Sequence, residues 1–175
     1  MYETEPELDE LQSLLDTSLP RSSAHLRAIV KPGERTLTAR QLVTVITGMC
    51  TLSVATVTAR CEPRISGLDG HFMHGRWVFT TAGRAVKARH LRARPGVSAA
   101  HLRGDDLGVF VHGMAEFLPQ DHPDWPAIEE HLVAHYGSSP TNSDDDIAYL
   151  RVQPHWMVAY AFQPAKLLEG AGGTS

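Results

Sequence analysis

Long apolar runs are absent from this 175-residue sequence. No stretch approaches the roughly 20 residues that a membrane-spanning helix requires. Met1 is followed by acids where a secretory leader would be basic and then apolar, so a cytoplasmic protein without a membrane anchor is expected. Cysteine is scarce. Cys50 and Cys61 are the only two, which argues against a disulfide framework, and neither has a histidine nearby in sequence to make it a thiol nucleophile. Lysine is rare against arginine, three to thirteen, a bias that points to a GC-rich genome and not to a function. There is no Walker-type glycine loop and no serine in a nucleophile elbow. His131 and His135 have the spacing of a zinc pair, but a zincin needs Glu directly after the first histidine and this chain has Leu132 there. An ordinary polar helix face is the better reading, and no metal is expected. Asp144-Asp145-Asp146 lacks the alternation of a calcium loop and reads as a helix cap or a solvated loop.

Acids are also missing from one place where they would matter. Between Arg84 and Arg94 stand five Lys or Arg residues and no acid, so this stretch carries +5 and the rest of a protein of net charge −4 carries −9. The bulky segment Trp77 to Phe79 precedes it, then the hydroxyls Thr80 and Thr81, then Gly83; Pro95-Gly96 stops it. That order reads as a buried strand, a turn and a helix. Cations near a helix start oppose its dipole, so Arg84 and Lys87 are poorly placed unless an anion such as a phosphate rests on the free N–H groups. A solvated basic face is the plain alternative. No aromatic residue is interleaved with the cations and the protein as a whole is acidic, so a small phosphorylated or acidic ligand suits the patch better than nucleic acid.

The length indicates one domain. Residues 1–48 read as a helical extension. Thr4 and Glu7 form a capping box for a helix to Leu19, Ser23 to Val30 is a second helical piece, and Thr38 with Gln41 caps a third ending at Gly48. From Met49 the pattern is of strands: Cys50 to Ala59, with a bulge or two-sided burial near Val54-Ala55, then Arg64 to Phe72 and Arg76 to Thr81. After the basic helix come Val97 to Leu102, Val109 to Leu118, a helix from Pro126 to Tyr136, a polar loop from Ser138 to Asp146, and a last strand from Tyr149 to Ala161. Residues 170–175 are expected to be a disordered tail. The hairpin-sized gaps between the first three strands exclude crossover helices there. The expected fold is mainly β within the α+β class: a six-stranded antiparallel split barrel over residues 49–169, with inserted helices.

His71 shares a strand face with Asp69 and suits a polar pocket wall, His74 reads as a turn residue, and His112 interrupts an apolar strand as a satisfied core or interface histidine does. The sequence thus offers an anion-binding turn without an acid–base or nucleophile set. That combination suits a cofactor that carries the chemistry itself.

The order of motifs resembles the pyridoxamine 5′-phosphate oxidase-like family of flavin-binding split β-barrels, and most closely the branch with deazaflavin-dependent reductases. The matching pieces are Leu52-Ser53-Val54-Ala55-Thr56-Val57, Pro63-Arg64-Ile65-Ser66, Trp77-Val78-Phe79-Thr80-Thr81, Arg84 through Arg92, Pro95, Val97-Ser98 and His112-Gly113-Met114-Ala115-Glu116. The resemblance implies a homodimeric oxidoreductase with FMN or the deazaflavin coenzyme F420 in a groove between subunits, acting on a small planar substrate. It implies that Lys87 holds the cofactor phosphate with help from Thr80 and Thr81, and that the strand at Arg64 and Ser66 faces the cofactor. Backbone at Gly67, Leu68 and Val86 and the side chains of Asp69 and His90 would complete the site. Relatives often carry a basic residue where this chain has Ala85, a role that falls to Arg84, and Asn where it has His90. The C-terminal signature of the true pyridoxamine-phosphate oxidase is absent. His71, Asp69 and His112 are the proton-donor candidates. The alternative is a non-catalytic split barrel that sequesters flavin or haem, a reading that the ten histidines motivate.

Overall fold

Alternate residues of Met49–Val57 are buried and make it a half-buried strand: Cys50, Leu52 and Val54 point into the core, Thr51 and Ser53 away from it. The same logic builds the rest of a computed structural model that describes residues 2–142 and 146–172. In chain order the elements are α1 (Glu5–Ser18), α2 (Ala24–Ile29), α3 (Ala39–Val45), β1 (Met49–Val57), β2 (Pro63–Met73), β3 (Arg76–Ala82), α4 (Val86–Ala93), β4 (Gly96–Arg103), β5 (Leu107–Phe117), α5 (Trp125–Tyr136), a 3-10 turn at Pro140–Asn142, β6 (Ile147–Ala161) and α6 (Pro164–Gly172). The strands close an antiparallel barrel in the order β1-β2-β3-β6-β5-β4. This is the α+β, six-stranded antiparallel architecture expected from the sequence. No helix among the described residues is long and apolar enough to cross a membrane.

Two expectations need correction. β1 has no bulge; its pairing with β2 runs unbroken from Met49↔His71 to Val57↔Pro63. The half-buried Ala55 on the outer face had disguised a regular alternation. The register shift falls instead between His112 and Gly113 of β5, where a side chain at Gly113 would strike the backbone of Gln153. The residues expected to begin a disordered tail, Gly170 to Gly172, end helix α6, which docks through half-buried Leu167 and Leu168 onto the main core. Residues 173–175, and Asp144 and Asp145 of the acidic run, lie outside the described residues.

The N-terminal helices join the barrel through apolar contact. The capping box at α1 is made, with Thr4 N–H donating to Glu7 Oε2 at 2.7 Å, and such caps contribute about 0.5–2 kcal/mol. Leu8, Leu11 and Leu15 of α1 and Leu42 of α3 are buried in one cluster with Leu52, Trp77 and Phe79 of the barrel. Trp156 Nε1 donates to Ser18 O and Ser22 Oγ, both at 3.1 Å, and Val158 packs on Leu19 and Val30. The outer face of β6 is therefore covered by the chain's own helices.

Two features position the site. First, β2 and β3 pair only between Gly70↔Phe79 and Met73↔Arg76. Beyond Gly70, β2 continues beside β1 to Pro63, while Thr80 to Ala82 of β3 pair with β6. The sheet parts between Asp69 and Thr80. Gly70, at the fork, faces inward, where a Cβ would collide with the Leu52 side chain; Gly67, further along, has nothing within 4 Å. Second, α5 lies over β3 and β6. Ile128 and Leu132 pack with Met73, Val78, Leu118 and Tyr149. Arg151, buried, binds Glu116 at 2.9 Å and Asp124, at the start of α5, at 2.5 Å. Tyr149 O–H donates to Glu129. Gly137, at φ +78°, ends the helix and sends the chain toward the fork.

Candidate functional site

Where β2 and β3 part, the outer surface holds a cavity of about 490 Å³. Gly67, Leu68 and Asp69 of β2 and Thr80 of β3 form one side, and Tyr136, Ser138, Ser139 and Pro140, from the end of α5 and the loop behind it, form the other. Four of the site residues inferred from sequence thus converge on one concave surface. Ser66, half-buried, and Arg64, exposed and paired with Glu62 at 2.8 Å, continue along β2 beyond it. Both strand edges at the fork lack a neighbouring strand, which leaves backbone donors and acceptors for a ligand.

From Thr81 the chain turns through Gly83 into α4. Gly83 N–H donates to Asp146 O at 2.6 Å, and the Asp146 carboxylate and the Arg92 guanidinium close over the space that a side chain at Gly83 would need. Arg92 also donates to Gly83 O and lies 4.9 Å from the centre of the Phe117 ring. The first residues of α4 form no such contacts. Its cap residue, Ala85, has no side-chain oxygen, so the N–H groups of Val86, Lys87 and Ala88 find no acceptor among the described residues. The half-buried Lys87 ammonium and the hydroxyls of Thr80 and Thr81 have no partner there either, while Arg84 is exposed and makes contacts of its own. Uncompensated donors in succession fit a phosphate or carboxylate. Lys87, Arg84, Val86 and Thr81 stand at this turn and not on the wall of the 490 Å³ cavity. His90 is held elsewhere, with Nδ1 3.0 Å from Thr56 Oγ1.

Asp69, His71 and His112 separate into two regions. His71 is buried on the same outward side of β2 as Asp69, but under α5. Its Nδ1 is 2.8 Å from His131 Nε2, and its Nε2 is 3.0 Å from the hydroxyl of Tyr136. His131 Nδ1 is in turn 2.6 Å from the hydroxyl of Tyr2, which is exposed. His135 stands edge-on to His71, with ring centres 5.0 Å apart. Burial, then the neighbouring His131 and His135, push the His71 pKa down to about 4. Burial and His135 also lower that of His131, whereas burial and the adjacent Asp69 carboxylate raise that of Tyr136. His131 and His71 direct ring nitrogens at each other. Among the described residues no group of three His, Cys, Asp or Glu is placed to hold a metal. His112 is on β5, across the barrel from β2, exposed, bonded to Ser98 Oγ at 2.8 Å and stacked on Trp156 at 4.5 Å.

Sequence reasoning missed Tyr136, His131 and Tyr2 as parts of one site. The histidine pair was visible at i, i+4, but no local signal ties it to a strand sixty residues away.

No protein-family model matches this chain, and no curated protein matches it. Solved structures do. A conserved hypothetical protein of Mycobacterium tuberculosis is similar with a TM-score of 0.63 and 16% identity, over 77% of this chain and 91% of its own. The haem storage protein HutZ of Vibrio cholerae has a TM-score of 0.58 and 18% identity, over 69% of this chain and 93% of its own. An F420 reductase has a TM-score of 0.51 and 18% identity, over 75% of this chain and 94% of its own. The resemblance to the flavin- and deazaflavin-binding split barrels is thereby borne out at the level of the fold.

Proposed function

We propose that this chain is an oxidoreductase that holds FMN or the deazaflavin coenzyme F420 at the fork of β2 and β3 and passes hydride between it and a small planar substrate. The observation that carries this reading is the parting of the two strands beside a helix start whose N–H groups and lysine meet no acceptor among the described residues. In this reading Lys87, the first N–H groups of α4 including Val86, and Arg84 hold the phosphate, with Thr80 and Thr81 next to it. Arg64, Ser66 and the backbone of Gly67 and Leu68 run along the rest of the cofactor, with Asp69 and His90 at the margins. The ring supplies the hydride chemistry; the protein's part is placement and electrostatics. The fold is shared with an F420 reductase, which supports the deazaflavin form of the reading.

The same reading has the chain acting as a homodimer. Outward positions of β2, β1, β4 and β5 fall into register as Ile65, Ala55, Ser98 and His112, beside a second row of Gly67, Ser53, Ala100 and Phe110. Ile65, Leu102, Phe110 and Met114 are exposed, from 37% to 77%. Trp156 and Val158 of β6 are covered by the N-terminal helices, so this reading puts the twofold face on the exposed positions of β4 and β5. A mate on this face would bring His112, distant from the fork within one chain, toward the partner's cleft. Titration of the protein with FMN and with coenzyme F420, separately, is the direct test. A dissociation constant below about 100 μM for one of them, roughly −5.5 kcal/mol, is expected, and failure of both sinks the proposal. Light scattering at low micromolar concentration should give twice the chain mass of 19.2 kDa.

A second reading, haem sequestration without catalysis, is favoured by His112, whose exposed imidazole has Nε2 without a partner among the described residues. It predicts a Soret band on haem addition that His112→Ala abolishes.

A further inference from the structure

We propose that Tyr2, His131, His71 and Tyr136 form a proton-conducting chain that joins the protein surface to the cleft at Asp69 and Thr80. The proposal rests on the reading of that cleft as a cofactor site, because a hydride acceptor or donor there needs protons to come and go. Three consecutive links, of 2.6, 2.8 and 3.0 Å, connect an exposed phenol to a phenol on the cavity wall through two imidazoles. No link is missing and none passes through the backbone.

The chemistry of imidazole makes the arrangement directional. A neutral ring donates from one nitrogen and accepts at the other, so a row of them has two self-consistent polarities. In one, Tyr2 donates to His131 Nδ1, His131 Nε2–H to His71 Nδ1 and His71 Nε2–H to the Tyr136 oxygen. The other reverses every bond. The Asp69 carboxylate beside Tyr136 favours the first, because it draws the Tyr136 hydroxyl proton toward the cleft. Passage of one proton converts the first polarity into the second. Tyr2 gives its proton to His131 Nδ1 and takes one from water. The Nε2–H bond of His131 breaks as the Nδ1–H bond of His71 forms, and the Nε2–H bond of His71 breaks as Tyr136 gains a proton. Tyr136 releases its own proton into the cleft. Atoms and charge balance, and return of a proton in the opposite direction resets the row.

Burial keeps both relay histidines neutral, as this transfer requires: the pKa of His71 is down to about 4 and that of His131 is also lowered. The titratable groups facing His71 are Asp69 on its own strand and His131, His135 and Tyr136 on α5. At the outer mouth stand Tyr2, His74 and, bonded to His74 at 3.0 Å, Glu7. His135 touches His71 only ring to edge and is outside the relay.

The test reads the exchange of the His71 Nε2 proton with water by nuclear magnetic resonance on ¹⁵N-histidine-labelled full-length protein without cofactor. A buried cluster with a purely structural role would loosen when a member is removed, and exchange would quicken. A relay predicts the opposite sign: His131→Phe, which fills the space, slows exchange at least tenfold, and Tyr2→Phe, at an exposed position and with the ring retained, slows it as well. Unchanged or faster exchange in a folded Tyr2→Phe protein overturns the proposal. If neither FMN nor F420 binds but exchange slows as described, the relay stands and the cofactor reading fails. If a cofactor binds and exchange does not slow, the relay fails and the cofactor reading stands.

Discussion

Two helices border the region where β2 and β3 part, α4 at the turn that follows Thr81 and α5 over the cleft itself, and they are in opposite electrostatic states. α4 presents, at a partly exposed surface, a lysine and N–H groups that meet no acceptor among the described residues. α5 is pinned to the barrel by Arg151 and by its apolar face, and its titratable groups beside the cleft are desolvated and displaced from their ordinary pKa values. Charge that must attract an anion stays near water, where its own burial costs little. The two imidazoles proposed to exchange protons are drawn out of water, His71 fully and His131 in part, and lie within hydrogen-bond distance of each other. In the proposed reading, α4 does the binding and α5 the proton handling.

The largest effect should come from releasing α5. Arg151→Ala leaves Glu116 and Asp124, both partly exposed, without their buried cation. A loss of about 3 kcal/mol is expected, measured as a lower urea midpoint, with the His71–His131 contact disordered. Acid comes next. His71 in the folded protein has a pKa of about 4 against 6.5 for the free side chain, so the unfolded chain binds a proton that the folded one refuses. Stability is intact above about pH 6.5 and falls as pH drops toward 4. The loss is roughly 2–3 kcal/mol, and His71→Phe should flatten that part of the pH profile.

On the α4 side, Lys87→Ala should weaken cofactor binding by about tenfold to a hundredfold, or 1.5–3 kcal/mol, with no change in melting temperature. An unchanged affinity would place the phosphate elsewhere. The mildest comparison lies within β2. Gly70→Ala crowds Leu52 and should destabilise by about 1–3 kcal/mol, whereas Gly67→Ala, on the open side of the fork, should stay within about 0.5 kcal/mol and act only on ligand affinity.

The sequence by itself determined most of the elements and the basic stretch that forms α4. The capping boxes at Thr4 and Thr38, the turn at His74-Gly75 and the acid-free stretch from Arg84 to Arg94 are local patterns, and local patterns are readable residue by residue. The convergence of Gly67, Leu68, Asp69 and Thr80 on one cavity was anticipated through the family resemblance alone, since β2 and β3 part at these residues instead of pairing. Only the tertiary structure decided what α5 does. His71 and His131 are sixty residues apart and Tyr2 and His131 more than a hundred, and no periodicity encodes a contact of that span. It arises because Ile128 and Leu132 bury one face of α5 against the barrel while Arg151 holds its first turn, and those constraints aim the remaining face at β2. The covering of Trp156 and Val158 by the N-terminal helices was hidden for the same reason: an apolar outer face reads alike in sequence whether its cover comes from the same chain or from another.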